Sequence, residues 1–175
     1  MERFGIETER LIITEFDESM IESVHENSLD EDIRRFVPDE VFETVEEARD
    51  TVLFLMDCYK TSSGPFVYPV LTKAKENIGY VQAVPTDDGW EVGYHIAKRY
   101  TRNGYATEAV KWFIPVIMNR LGIETISGTC AVENIASRMV LEKCEFDLDY
   151  SGTGDYQGKA HDICRYSYRL SKMSG

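Results

Sequence analysis

The stretch "WEVGYHIAKRYTRNGYATEAVKWFIPVIMNRL", residues 90 to 121, limits the possible folds more than any other. Its opening residues alternate, with Glu91, Gly93, His95 and Ala97 on one face and Val92, Tyr94 and Ile96 on the other, the two-residue period of a strand. Beyond Asn103-Gly104 the apolar residues Ala106, Ala109, Val110, Phe113, Ile114 and Ile117 recur at spacings of three and four, the period of a helix. Asn-Gly between apolar runs is the commonest short hairpin signal. The change of period argues that this turn instead joins a strand to a helix. Pro115 predicts a kink near Lys111, because proline lacks the N–H and crowds the carbonyl four residues back.

A helix start presents unpaired N–H groups and a positive dipole end, and glycine lets an anion approach that backbone closely. The local charge agrees. From Val92 to Thr107 there is no Asp or Glu, while Lys98, Arg99 and Arg102 fall inside, in a chain with 31 acids, 19 bases and a net charge of −12. The turn has neither the Walker pattern nor G-x-G-x-x-G, which argues against a P-loop or a Rossmann dinucleotide site. The overall charge argues against a nucleic-acid partner, whose phosphates attract Lys and Arg.

"RLIITEF" reads as a first strand and "DESMIESVHENS" as a helix. Thr44 and Glu47, at capping-box spacing, open a second helix that buries Ala48, Val52, Leu55 and Met56. "FVYPVLTK", "NIGYVQAVP" and "WEVGYHIA" form an antiparallel meander. After the long helix come a strand "ETISGTCAV", a helix "NIASRMVLEKC" and two strands around "FDLDYSG" and "HDICRYSYRL". No linker or repeat divides the 175 residues, so one domain over 1–175 is expected. The four cysteines show no C-x-x-C pair or zinc spacing, so they read as reduced buried thiols and no metal is expected. No apolar run approaches the ~20 residues of a membrane span, and a cytoplasmic location without membrane contact is expected.

The segments Gly104-Tyr105-Ala106-Thr107-Glu108-Ala109, "EVGYHIAKRYTRN" and "ENIASRMVLEKCEF" together resemble the cofactor-binding core of the GNAT N-acetyltransferases. "TERLIITEF", "TVEEA", "NIGYVQ" and "HDICRYSYRL" extend the likeness over nearly the whole chain, with the RimJ/RimL-like branch, which includes ribosomal-protein N-terminal acetyltransferases, the most similar. The resemblance implies an α/β (α+β) GNAT fold. Its mixed, mostly antiparallel central sheet has about seven strands flanked by about four helices. It further implies acetyl-CoA as cosubstrate and transfer of its acetyl group to a primary amine in a ternary complex. The alternative is a non-catalytic acyl-CoA-binding sensor or interaction module.

The family's pyrophosphate loop, [QR]-x-x-G-x-[GA], falls on Thr101-Arg102-Asn103-Gly104-Tyr105-Ala106. Thr101 departs from it, and Arg102 can supply the cation. The resemblance places the cofactor against Arg102, Asn103, Gly104, Tyr105, Ala106 and Thr107. It gives the backbone near His95, Ile96 and Ala97 to the pantetheine and thioester. Asn134 suits a helix N-cap with Ser137 at N3, and the family pattern sets both beside the pantetheine and sulfur. Glu145 stands where the family has Gly. Leu141 stands where many members have a Tyr that protonates the leaving thiolate, so Ser137 or a water must serve.

An alkylamine must lose a proton before attack. Glu91 is the first candidate base and His95 the second, against the simpler reading of each as a structural or solvated group. Tyr94 and Asp162 are candidate acceptor contacts, Asp162 reading equally as a solvated strand-end acid. Acidic residues cluster in "DESMIESVHENSLDEDI", "PDEVFETVEEARD" and "EFDLDYSGTGDY", segments that in this family surround the acceptor entrance. Such a mouth draws a cationic amine, or the acids only solubilise exposed faces. Monomer and homodimer both fit the sequence.

Overall fold

The computed structural model describes residues 2–170; Met1 and residues 171–175 of the expected domain lie outside the described residues. The strands are β1 (Gly5–Glu7), β2 (Leu11–Thr14), β3 (Phe66–Thr72), β4 (Asn77–Thr86), β5 (Gly89–Ile96), β6 (Thr125–Ala131), β7 (Asp147–Tyr156) and β8 (Lys159–Arg169). They form one sheet in the order β1-β2-β3-β4-β5-β6-β8-β7. Every neighbouring pair is antiparallel except β5 with β6, which run parallel.

The helices are α1 (Ile21–Ser28), α2 (Glu31–Phe36), α3 (Val45–Cys58), α4 (Tyr105–Leu121) and α5 (Ile135–Lys143). Among the described residues the sheet therefore has eight strands, with five α-helices, against the expected seven and four. The additions are β1 and α2. A three-residue strand is too short to show a period, and α2 buries only Ile33 in a charged sequence, so neither leaves a pattern to read.

Helices cover both faces of the sheet. On one side Val110, Phe113 and Ile117 of α4 pack with Leu11, Ile13, Val70, Val81, Val92 and Ile96 in the main core. On the other, Ile21 of α1 and Ala48, Val52 and Leu55 of α3 pack with Phe16 and Val67. The Thr44 hydroxyl caps α3 by accepting from the Glu47 amide at 3.2 Å. Glu47 returns the contact one residue early, accepting from the Glu43 amide at 2.9 Å rather than from Thr44. Helix α4 runs unbroken through Pro115 and ends at Gly122 in the left-handed region. There Ile123 donates to the Met118 carbonyl, closing the last turn as a Schellman motif.

Candidate active site

The parallel join between β5 and β6 makes the site. Among the described residues the two strands pair only at Glu91 and Ser127, and beyond that point they splay. Amides alternate sides along a strand. The Ala97 amide turns to β4 and donates to the Ile78 carbonyl at 2.7 Å. Those of Tyr94 and Ile96 therefore face the opening. The candidate pantetheine segment thus offers Ile96 and Tyr94, while Ala97 is engaged in the sheet. Gly79 permits this closeness, since a Cβ there would collide with the His95 carbonyl.

A cavity of about 690 Å³ fills the splay and passes through the sheet. One half is bounded by Tyr94, Ile96, Ala106, Asn134, Ser137 and Leu141, on the α4 and α5 side. The other is bounded by Asp32, Glu40, Tyr80, Gln82, Glu91 and His95, on the α1 and α2 side. The volume lies within the ~300–1,000 Å³ of small-molecule sites.

The cationic turn sits at the first half's rim. Arg102 and Gly104 have φ of 67° and 78°, the kind of curled backbone in which successive N–H groups can converge on an anion. Glu108 donates to the Gly104 carbonyl at 3.0 Å, which leaves the amides of Tyr105, Ala106 and Thr107 at the open start of α4. The Asn103 side chain folds inward, donating to the Tyr100 and Thr101 carbonyls, and so holds the loop rather than facing outward. Arg102 is exposed and makes no ion pair among the described residues.

Arg10, just before β2, completes this loop and escaped the sequence reading. Its Nη1 donates to the Asn103 carbonyl at 2.8 Å and its Nε to Glu108 at 2.6 Å, while the guanidinium lies over the Tyr105 ring. Glu108 also accepts from the Thr8 hydroxyl and the Arg10 amide. These bonds hold its carboxyl below the usual range against the opposing effect of burial. Glu108 thus stays ionised, with its charge paired to Arg10. Nothing local to Arg10 announces a contact spanning that much sequence.

On the α1 and α2 side Glu91 accepts from the Thr129 hydroxyl at 3.4 Å, and burial pushes its carboxyl above the usual range. His95 Nε2 lies 3.2 Å from Asp30, which also accepts from the Lys98 amide at 2.7 Å. Burial lowers the His95 pKa despite that partner. Tyr80 donates to Glu40, whose carboxyl burial also raises. Asp30 and Glu40 come from loops and short turns where sequence offered only acidic composition. Of the three acidic segments, the first two bring Asp32 and Glu40 to the cavity. The third contributes Tyr156 rather than an acid.

On the opposite side the Tyr94 hydroxyl donates to the Ser137 carbonyl at 2.8 Å and lies 2.9 Å from Ser137 Oγ. Tyr94 thus stands with α5, away from Glu91 and His95. Asn134 caps α5 by accepting from the Ser137 amide at 3.2 Å. Leu141 is buried against Gly128. Burial pushes the Cys130 thiol up to about 11. Asp162 is exposed on β8, accepts from Thr153, and is not among the residues lining the cavity. Among the described residues no group of three or more His, Cys, Asp or Glu is placed to hold a metal, and no helix is long and apolar enough to cross a membrane.

A sheet split at one parallel join, with a cradle of amides at the following helix, defines the class. The family model of the acetyltransferase (GNAT) domain matches residues 10–147, and the chain belongs to that family. It is 27% identical over 141 residues to YnaD of Bacillus subtilis strain 168, described as an uncharacterized N-acetyltransferase, covering 79% of each chain. The GNAT-family acetyltransferase from Bacillus anthracis shares the fold with a TM-score of 0.81 at 24% identity, covering 95% of this chain and 98% of that one. RimL, the ribosomal L7/L12 alpha-N-protein acetyltransferase, solved in complex with coenzyme A, does so with a TM-score of 0.81 at 19% identity and the same coverage. The protein is an acetyltransferase enzyme, and its structural neighbours include the RimL-like ones that the sequence resembles.

Proposed function

We propose that the chain, as one domain over residues 1–175, moves the acetyl group of acetyl-CoA directly to a primary amine in a ternary complex. The observation that carries this reading is the cavity through the β5–β6 splay. It joins the start of α4 to two half-buried proton acceptors, Glu91 and His95, on the far side of the sheet.

The diphosphate of the cofactor rests on the amides of residues 102–106, with Arg102 as the cation. The pantetheine enters the splay, where the amides of Tyr94 and Ile96 extend its hydrogen bonding and one of them stabilises the oxyanion. Glu91, through a water, takes a proton from the ammonium group; burial raises its pKa and so makes its carboxylate a stronger base than an exposed one. His95, kept neutral by burial, is the second candidate. The amine nitrogen attacks the thioester carbonyl, and the tetrahedral intermediate collapses by breaking the C–S bond. The nitrogen sheds its second proton as the amide forms, and Ser137, oriented by Tyr94, relays a proton to the departing thiolate. Cys130 stays a thiol at neutral pH, which supports transfer without a covalent enzyme intermediate.

The acceptor is cationic before it reacts, and Asp32, Glu40 and Glu91 give its half of the cavity a negative lining. A protein N-terminus, a polyamine or another small amine satisfies this. RimL, a ribosomal L7/L12 alpha-N-protein acetyltransferase of the same fold, supports the first. The test is incubation with acetyl-CoA and a panel of amines, reading free thiol. Thiol release that depends on an amine supports transfer. Cofactor binding without release on any amine favours the sensor reading.

A further inference from the structure

A second cavity, of about 260 Å³, lies between α1, α3 and the sheet. Its walls include Phe16, Val24, Ile33, Phe42 and Leu55. The volume is below the ~300 Å³ at which whole-ligand sites begin, so it suits one substituent of a larger molecule. It adjoins the acceptor half of the main cavity: Glu40, Pro65, Val67, Tyr80, Gln82 and His95 line both.

One polar group in this chamber lacks a partner. Asn27 is only 6% exposed and lines the cavity. Its Nδ2 donates to the Asn77 carbonyl at 3.0 Å, and since a carbonyl only accepts, that bond fixes which way the side-chain amide points. Its Oδ1 is left buried with no hydrogen-bond partner. A buried amide oxygen without a donor is unfavourable, and native structures rarely leave one unless a ligand or water completes it.

We propose that this chamber is a side-chain subsite of the acceptor, taking an apolar, ring-sized group with a hydrogen-bond donor for Asn27 Oδ1. The amine of the same molecule then lies toward Glu91. This rests on the reading of the main cavity as an amine acceptor site. It narrows the acceptor from any cationic amine to one bearing a hydrophobic substituent with an O–H or N–H.

The test uses tyramine, phenethylamine and ethylamine, titrated by calorimetry into the protein saturated with coenzyme A. Phenethylamine is expected to bind about tenfold or more tightly than ethylamine, because its ring leaves water. Tyramine is expected to gain about fivefold more from one added hydrogen bond. Val24→Phe fills the chamber and should erase both preferences while the ethylamine affinity holds; Asn27→Leu should erase only the tyramine step. Three amines binding alike, none binding, or preferences that survive Val24→Phe would overturn the subsite. Thiol release with acetyl-CoA is read in parallel. Ring-selective binding without release supports the chamber and contradicts the transferase reading, whereas release without ring selectivity does the reverse.

Discussion

Tyr94 of β5 and Ser137 of α5 meet across the splayed strands, the phenol 2.8 Å from the Ser137 carbonyl and 2.9 Å from its Oγ. The contact fixes the serine hydroxyl on the wall where the proposed mechanism releases the thiolate. Ser137→Ala should lower kcat for thiol release about 100-fold, the scale of a lost proton-transfer group. Tyr94→Phe, which keeps the ring packed and removes only the orienting bond, should lower it by about tenfold or less. Calorimetric affinity for acetyl-CoA should hold in Tyr94→Phe. Wild-type kcat in Ser137→Ala would remove the pair from the chemistry.

Glu91 has its carboxyl raised by burial, and a carboxylate acts as base only when ionised. Turnover should therefore rise as pH increases through that raised value, a limb missing in Glu91→Gln, which should be about 100-fold slower on the plateau. The sign for stability is opposite. A raised carboxyl favours the folded state while protonated, and that advantage fades as pH rises through the folded pKa. Glu91→Gln should thus raise the melting temperature at pH 8 relative to wild type and lose that gain at pH 4. A wild-type rate profile in Glu91→Gln would pass the base role to His95.

Glu145 follows α5 with φ of 68°, at the position where the resembled family has glycine. Phe146 donates to the Leu141 carbonyl and Glu145 to that of Glu142, so the helix closes as it would around a glycine. The residue changed and the backbone kept its shape. Left-handed backbone costs a residue with a Cβ about 1 kcal/mol. Glu145→Gly should therefore raise the melting temperature by about 2–4 °C for a chain of this size, measured by calorimetric unfolding. A decrease would show that the glutamate makes a stabilising contact.

Gly104 has φ of 78°, and a Cβ there would meet only Arg10 Nη2, at 3.5 Å. Space alone would admit a side chain; backbone strain and an anion's approach to the loop backbone are what forbid it. A β-branched residue at positive φ is strained by about 1–3 kcal/mol. Gly104→Val should accordingly weaken coenzyme A binding by at least about tenfold in calorimetry, with Gly104→Asn, which tolerates this backbone, weakened less.

The elements with a clear period were legible in the sequence: the three meander strands, α4, and α5 with its Asn134 cap. The turn at Asn103-Gly104 was legible as a strand-to-helix join, because the apolar period changes across it. What could not be read came from long-range or aperiodic pieces. Arg10 reaches Asn103 and Glu108 from just before a strand that looks ordinary in isolation. Asp30 and Glu40 lie where acids are abundant, and only burial singles them out. Alternation placed Tyr94 opposite Glu91 and His95, but its meeting with Ser137 depends on how α5 packs over the splay. Asn27 lies in an amphipathic helix whose polar residues otherwise read as solvent-facing.

The most direct measurement is a crystal structure of the protein with coenzyme A. The account predicts diphosphate oxygens within hydrogen-bonding distance of amides in residues 102–106, and a pantetheine running between β5 and β6 against the amides of Tyr94 and Ile96. A cofactor seated elsewhere, with the turn at Gly104 and the splay both vacant, would contradict it.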